Sequence, residues 1–180
     1  MAQAVENIYA EAVYELGTES DSLDELYEEI SALRGIFEEN DDLVKLLSSP
    51  SVGEEEKHDI IHSIFGGRVS ELTFNFLCVL ADKGRVGFFP KIHDVLHKLY
   101  NEHKGIMEAE VVTSEPLSQA LEEKLRAKLA AKSGKEVIIN KKVDKSMIGG
   151  IIVRFDDREI DASLRKRLDD LRKSIDSTIA

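Results

Sequence analysis

Apolar side chains recur every three or four positions through the first hundred residues, and this spacing predicts amphipathic helices around a shared core. The chain shows six such stripes, which run from Val5 to Leu16, Leu23 to Phe37, Leu43 to Leu47, Ile60 to Phe65, Leu72 to Leu80 and Ile92 to Tyr100. Six helices in about a hundred residues predict a compact bundle.

Residues that disfavour helix separate the stripes. Gly17 is expected to end the first helix, Pro50 the third and Gly105 the sixth. Ser51 followed by Glu54 has the spacing of a capping box, which predicts that the fourth helix starts there.

The pattern changes after Gly105. Apolar and acidic side chains alternate from residue 107 to 111, which is typical of a half-buried strand. The elements expected beyond it are a helix with leucines from Leu117 to Leu129, two central strands at Val137–Ile139 and Ile151–Val153, and a last helix from Leu164 to Ile175. The predicted fold class is mainly α, with a six-helix bundle over residues 1–104 and a small α+β domain over residues 105–180.

Charge is shared unevenly between these two regions. The chain has 35 acidic and 24 basic side chains. Residues 1–104 hold 21 of the acidic and 9 of the basic ones, a net charge of −12, whereas residues 105–180 carry a net charge of +1. An acidic first domain repels nucleic acid and anionic lipid, and it favours a basic or amphipathic protein partner. No run of 18 apolar residues is present in the sequence, so we expect no direct membrane insertion.

The cysteine content and the start of the chain indicate an intracellular protein. Cys78 is the only cysteine, which excludes an intrachain disulfide and a cysteine-based zinc finger. The first residues alternate charged and apolar side chains without a basic start or a long apolar run, so we expect no secretory signal.

Two histidine pairs are the strongest candidates for metal chemistry. His58 and His62, and likewise His93 and His97, are spaced four residues apart on one helical face, which is zinc-ligand spacing. A zinc protease motif has Glu after its first histidine, whereas both pairs have Asp there. We interpret the four as partly exposed surface histidines, and we predict no metal site.

Other catalytic and cofactor motifs are weaker still. Gly134-Lys135 has neither the earlier glycine nor the following hydroxyl of a phosphate loop. Cys78 lies in an apolar run, where packing is the simplest interpretation. The basic last helix is interrupted by aspartates and carries no aromatic residue for base stacking. We therefore predict no catalytic residue, no cofactor and no nucleic acid partner.

Three segments carry a resemblance to a known family, the delta subunit of F-type ATP synthases, which is the bacterial counterpart of the mitochondrial oligomycin-sensitivity-conferring protein. Residues 9–16, YAEAVYEL, resemble its opening helix. Residues 75–77, 80–86 and 90–92, which read NFL, LADKGRV and PKI, are similar to its fifth and sixth helices. Residues 143–154, VDKSMIGGIIVR, and 160–164, IDASL, resemble its most diagnostic stretch. Asp156 departs from the glycine usual in the family's turn.

The resemblance implies a non-catalytic stator subunit of the H⁺-transporting ATP synthase, at the cytoplasmic face of the cell membrane. It would link the catalytic alpha/beta head to the membrane-anchored b subunits. Its N-terminal bundle would bind the N-terminal helix of an alpha subunit, and its C-terminal domain would contact the C-terminal ends of the b subunits. Carried over by position, the helix groove comprises Tyr9, Ala12, Asn75, Cys78, Val79 and Asp82, and the C-terminal family motif comprises Asp144, Gly149, Gly150, Asp161, Ser163 and Leu164.

Two alternatives from other functional classes remain open on the sequence. The N-terminal topology also resembles RNA-binding antitermination proteins of the NusB type, although the net charge of −12 disfavours RNA. A metal hydrolase that uses the four histidines is the other alternative.

Overall fold

The computed structural model describes residues 4–155 and 158–179, with side chains as far as residue 173. The chain divides into two compact units, 1–100 and 101–180. This division falls four residues before the predicted boundary at 104/105. Asp156, the predicted departure from the family turn, lies outside the described residues.

The first unit contains the predicted six helices. They are α1 Val5–Glu19, α2 Leu23–Glu39, α3 Asp41–Ser48, α4 Glu54–Phe65, α5 Glu71–Asp82 and α6 Phe89–Lys104. A 3₁₀ turn at Val86–Phe88 precedes α6, and α6 continues past residue 100, where the first unit ends. Their apolar faces form one core, in which Ile30, Leu80, Phe89, Ile92 and Leu96 are fully buried. Removing this apolar surface from water is the main force that stabilises the bundle.

The prediction that Gly17 ends the first helix is wrong. α1 continues to Glu19, and Gly17 is buried within it. A Cβ atom at Gly17 would lie 3.0 Å from Cδ1 and 3.1 Å from Cα of Leu23. The glycine therefore permits a close approach between α1 and the start of α2, and this packing outweighs its low helix propensity.

The predicted capping box is also wrong. The N-cap of α4 is Gly53, which makes no side-chain cap hydrogen bond. Ser51 lies too early, and its N–H donates to Ser49 Oγ at 3.2 Å. The first turn of α4 instead carries Glu54, Glu55 and Glu56, whose negative charge interacts favourably with the helix dipole.

The second unit is an α+β arrangement. Its elements are β1 Ile106–Thr113, α7 Gln119–Ser133, β2 Glu136–Val143, β3 Ile151–Phe155, β4 Arg158–Asp161 and α8 Leu164–Ile179. The sheet has the order β2-β1-β3-β4, with β1 parallel to β2 and antiparallel to β3, which pairs antiparallel with β4. α7 connects the two parallel strands, as a parallel crossover requires.

β3 is central, as predicted, whereas β2 lies at the edge of the sheet. Val137 and Ile139 are buried and Ile138 is 42% exposed, so β2 alternates rather than burying both faces. The sequence does not predict β4, because its residues REID include one apolar side chain and give no period-two signal.

Candidate helix groove and C-terminal turn

The outer face of α1 is apolar and exposed. Ile8, Ala12 and Leu16 are spaced four residues apart and therefore lie on one side of the helix. Ile8 is 48% exposed and Leu16 is 49% exposed, although the sequence pattern assigns both to the core stripe. α1 instead packs into the bundle through smaller residues, among them Ala10 and Val13.

Tyr9 connects α1 to α5. Its ring centroid lies 6.4 Å from that of Phe76 on α5. Arg85, just after α5, donates from Nη1 to the Tyr9 hydroxyl at 3.1 Å, and its guanidinium carbon lies 5.6 Å from the ring centroid. These contacts combine a hydrogen bond with a cation–π interaction, so they hold α1 against α5.

α5 presents both exposed and buried members of the predicted site. Asn75 and Val79 are exposed on successive turns, whereas Cys78 is only 8% exposed. Burial raises the pKa of the Cys78 thiol, and the nearby Asp82 carboxylate raises it further. Cys78 therefore serves as a neutral packing residue rather than a thiolate.

Asp82, the last residue of the predicted groove, is half-buried at the end of α5. His58 Nε2 on α4 lies 2.9 Å from Asp82 Oδ1. The adjacent Lys57 is buried and donates from Nζ to the Ala81 carbonyl at 3.1 Å. The N-terminal turns of α4 thus fix the C-terminal end of α5, and neither contact could be predicted from sequence spacing.

The second part of the predicted site surrounds the start of α8. Gly150 has a φ of 93°, and a Cβ atom there would lie 2.5 Å from the Ala162 carbonyl oxygen and 2.7 Å from Ser163 Cα. The Leu164 N–H donates to the Gly149 carbonyl at 3.0 Å. Glycine is required at position 150, because any side chain would collide with the backbone that leads into α8.

Two aspartates of the family motif stabilise turns. Asp161 accepts a hydrogen bond from the Ser163 N–H at 2.8 Å, and its interaction with the Ser163 side chain lowers the pKa of its carboxyl. Asp144 accepts from the Ser146 hydroxyl at 2.6 Å and from its N–H at 2.9 Å, and the hydroxyl contact lowers the pKa of Asp144. Both act as Asx turns.

The histidine pairs have structural partners. His93 is buried, in contrast to the predicted partial exposure, and its Nε2 lies 3.0 Å from Ser31 Oγ. The hydroxyl of Tyr27 bonds to His97 Nδ1 at 2.5 Å, and His62 packs edge-on against a phenylalanine ring. Within residues 4–155 and 158–179, no three His, Cys, Asp or Glu side chains converge as metal ligands.

The structure is that of a two-unit protein, in which a helical bundle with apolar residues exposed on α1 and α5 is followed by an α+β unit with a glycine turn. The family model described as ATP synthase delta (OSCP) subunit matches residues 5–175. The chain therefore belongs to the ATP synthase delta (OSCP) subunit family, whose members are subunits of the F-type ATP synthase. This match favours that family over the RNA-binding alternative.

Two relatives agree with the assignment, and a solved structure shares the fold. The chain is 38% identical over 176 residues to ATP synthase subunit delta of Lachnoclostridium phytofermentans, covering 97% of each chain. It is 32% identical over 181 residues to that of Clostridioides difficile, covering both chains completely. Its fold matches a chain in the Toxoplasma gondii mitochondrial ATP synthase hexamer with a TM-score of 0.72, at 22% identity over 96% of this chain and 98% of the other.

The helices are short or polar relative to what a bilayer requires. In the part of the chain that the structure describes, none of them combines the length and the apolar character needed to cross a membrane.

Proposed function

We propose that this protein is a non-catalytic stator subunit that links the alpha/beta head of the ATP synthase to the membrane-anchored b subunits, at the cytoplasmic face of the membrane. The observation that carries the proposal is the apolar face of α1, where Ile8 and Leu16 are about half exposed beside Ala12. Exposed apolar residues in such an arrangement mark a protein interaction site.

The mechanical role follows from the need to resist torque. The central shaft turns inside the head during proton-driven rotation, and ATP synthesis requires that the head does not turn with it. A subunit that holds the head to the stalk performs this role by affinity alone. Tight binding of this kind needs a sizeable interface with a few buried anchors.

The first interface in this proposal is a groove between α1 and α5 that receives the N-terminal helix of an alpha subunit. Ala12 has a small side chain, which allows close approach, and Val79 supplies 46% exposed apolar surface on α5. Tyr9 is held by Arg85 and gives the groove a rigid aromatic wall. The groove residues are Tyr9, Ala12, Asn75, Cys78, Val79 and Asp82.

The second interface is between the C-terminal unit, residues 105–180, and the C-terminal ends of the b subunits. Its family motif forms the turn at the start of α8, in which the Gly149 carbonyl accepts the Leu164 N–H. We assign this turn a supporting role, because it fixes where α8 leaves the sheet.

Calorimetric titration with a synthetic alpha-subunit N-terminal peptide tests the groove. We expect Ala12→Arg to weaken binding by about tenfold or more, because a bulky charge would occupy the place of the visiting helix. Ala32→Arg is the matched control, since Ala32 is also exposed but lies on α2. A folded Ala12→Arg protein with unchanged affinity would refute the groove assignment.

A further inference from the structure

A cavity lies between α7 and the paired ends of β1 and β3. α7 packs against β2, which is one neighbour of β1, and the cavity lies toward the other neighbour, β3. Thr113 and Ile151 are partners in the antiparallel register of β1 with β3, and both line the cavity on its sheet side. The volume is about 510 Å³, within the range of about 300–1,000 Å³ that is usual for small-molecule sites.

The helix side of this cavity is a row of leucines. Leu121 and Leu125 lie one turn apart on α7, and Leu117 lies just before the helix. Leu117, Leu125 and Ile151 also pack against the core of this unit, whereas Leu121 is 57% exposed. The cavity therefore extends the core to the surface, where it can remove an apolar ligand from water.

Two lysines run beside the leucine row. Lys124 and Lys128 line the cavity one turn apart on α7, and neither forms an ion pair with any residue that the structure describes. On the other side of the leucines, by contrast, Glu122 has two cationic partners. Glu115 is the one acidic residue of the lining, so the lining carries a net positive charge. This combination favours a ligand that is apolar along its length and anionic at one end.

We propose that this cavity, the α7 slot formed by Leu117, Leu121, Lys124, Leu125, Lys128 and Ile151, binds the monomeric anion of a fatty acid. The acyl chain packs along the leucines and along the apolar stems of the two lysines. The carboxylate accepts hydrogen bonds from the lysine ammonium groups. The site is independent of the proposed stator role, which involves protein partners only.

The size of the slot favours a single acyl chain. At about 30 Å³ for each water-sized group, the cavity holds roughly 17 such groups, which suits one chain with its carboxylate. A phospholipid has two chains and a larger head group, and it exceeds this volume. The ligand we infer is therefore a free fatty acid rather than a lipid of the bilayer.

Charge disfavours the last helix of a second copy as the occupant. α8 exposes Leu164, Leu168 and Leu171, so it also offers an apolar face. Between Leu164 and Lys173, however, it carries five basic and two acidic side chains. Docking α8 in the slot would bring cations against Lys124 and Lys128, whereas a carboxylate neutralises them.

Calorimetric titration of the full chain with decanoate, below the concentration at which it forms micelles, tests the charged part of the slot. Lys124→Gln/Lys128→Gln should weaken binding by about fivefold, because two favourable charge contacts are lost. The matched control is Lys91→Gln/Lys98→Gln, which makes the same charge change at exposed lysines of α6. This control should stay within about twofold of the wild type.

A second pair of variants tests the apolar part. Leu121→Asn should also weaken decanoate binding by about fivefold, because it removes apolar surface from the slot. Leu121 is exposed, so this change leaves the core of the unit intact. Leu168→Asn is the control, since Leu168 is 58% exposed on α8, and it should bind decanoate like the wild type.

A ligand series tests the inferred chemistry. Octanoate should bind about tenfold more weakly than decanoate, because its chain buries two methylene groups fewer. Decyltrimethylammonium has the same chain length and the opposite charge, so it should bind at least about tenfold more weakly than decanoate. Glu115→Gln should strengthen decanoate binding by about twofold, because it removes a repelling carboxylate.

Several results would overturn the site. These are a wild-type chain that does not bind decanoate, folded slot variants with wild-type affinity, and equal binding of decanoate and decyltrimethylammonium. Sedimentation with phosphatidylglycerol vesicles that Lys124→Gln/Lys128→Gln abolishes would make the slot a membrane contact instead. A wild-type dimer that Leu121→Asn dissociates would make it a self-association surface. The stator role is tested separately by the alpha-peptide titration, so it does not depend on these outcomes.

Discussion

Nη1 of Arg34 on α2 lies 3.0 Å from Nδ1 of the buried His93 on α6. A guanidinium can only donate, so Nδ1 accepts and the imidazole proton resides on Nε2, which faces Ser31 Oγ. The same Nη1 binds Asp94 Oδ1 at 2.6 Å. The neutral imidazole thus connects the two helices, and a second proton on Nδ1 would face a cation.

This geometry predicts that the bundle loses stability in mild acid. Burial lowers the pKa of His93, Arg34 and His97 lower it further, and Asp94 opposes the shift. The Tyr27 ring also stacks on the imidazole. The unfolded chain therefore binds more protons, and stability falls as the pH drops below the unfolded histidine pKa of about 6.5.

Urea unfolding of wild type and His93→Gln between pH 7.5 and 5.5 measures this contribution. The free energy of unfolding should fall more steeply with acidification for the wild type, because glutamine does not titrate. His62→Gln is the control, since His62 is exposed on α4. Parallel pH profiles for wild type and His93→Gln would show that His93 does not carry the effect.

A second prediction concerns Glu29 on α2, which binds Ser70, the N-cap residue of α5. Its carboxylate accepts hydrogen bonds at 2.7 Å from the N–H and from the hydroxyl of Ser70, and it also accepts from the Thr73 hydroxyl. Thr73 is fully buried. Glu29→Ala would remove the acceptor of the Ser70 N–H and of the buried Thr73 hydroxyl, and it should cost about 1–3 kcal/mol of unfolding free energy.

The neighbouring glutamate provides the control for this measurement. Glu28 is exposed on α2, so Glu28→Ala should change the free energy of unfolding by less than about 0.5 kcal/mol. Both values come from urea titration at pH 7. Equal stabilities of the two variants would mean that the hydrogen bonds of Glu29 contribute nothing.

The helices could be predicted because each buries one face in a single core, and that burial leaves a period of 3.6 residues in the sequence. The same period cannot tell a core face from a docking face. For this reason the pattern assigns Ile8 and Leu16 to the core, while Gly17, expected as a helix end, is buried in the interface of α1 with α2.

The contacts between elements at the candidate site could not be predicted from the sequence. Arg85 meets Tyr9 across 76 residues, and His58 meets Asp82 across 24. Such pairs depend on how helices pack and leave no local pattern. The short strand β4 could not be predicted for a related reason, because it is defined by its pairing with β3 rather than by its own apolar content.

The last prediction separates backbone conformation from steric collision at two glycines of the C-terminal unit. Gly134 has a φ of 70°, and a Cβ atom there would have no neighbour within 4 Å. Gly150 has a φ of 93°, and its Cβ atom would meet the Ala162 carbonyl oxygen at 2.5 Å. Gly134→Ala should therefore cost about 1 kcal/mol, which is the penalty of a positive φ alone.

Gly150→Ala should cost more than Gly134→Ala, by about 1–3 kcal/mol, because the methyl group must also displace the backbone that leads into α8. Thermal unfolding of the full chains gives the difference in stability. Hydrogen exchange shows where the stability is lost. Only Gly150→Ala should lose amide protection in β3 and in the first turn of α8. Equal losses in the two variants would mean that the glycine turn does not position α8, and the supporting role assigned to this turn would fail.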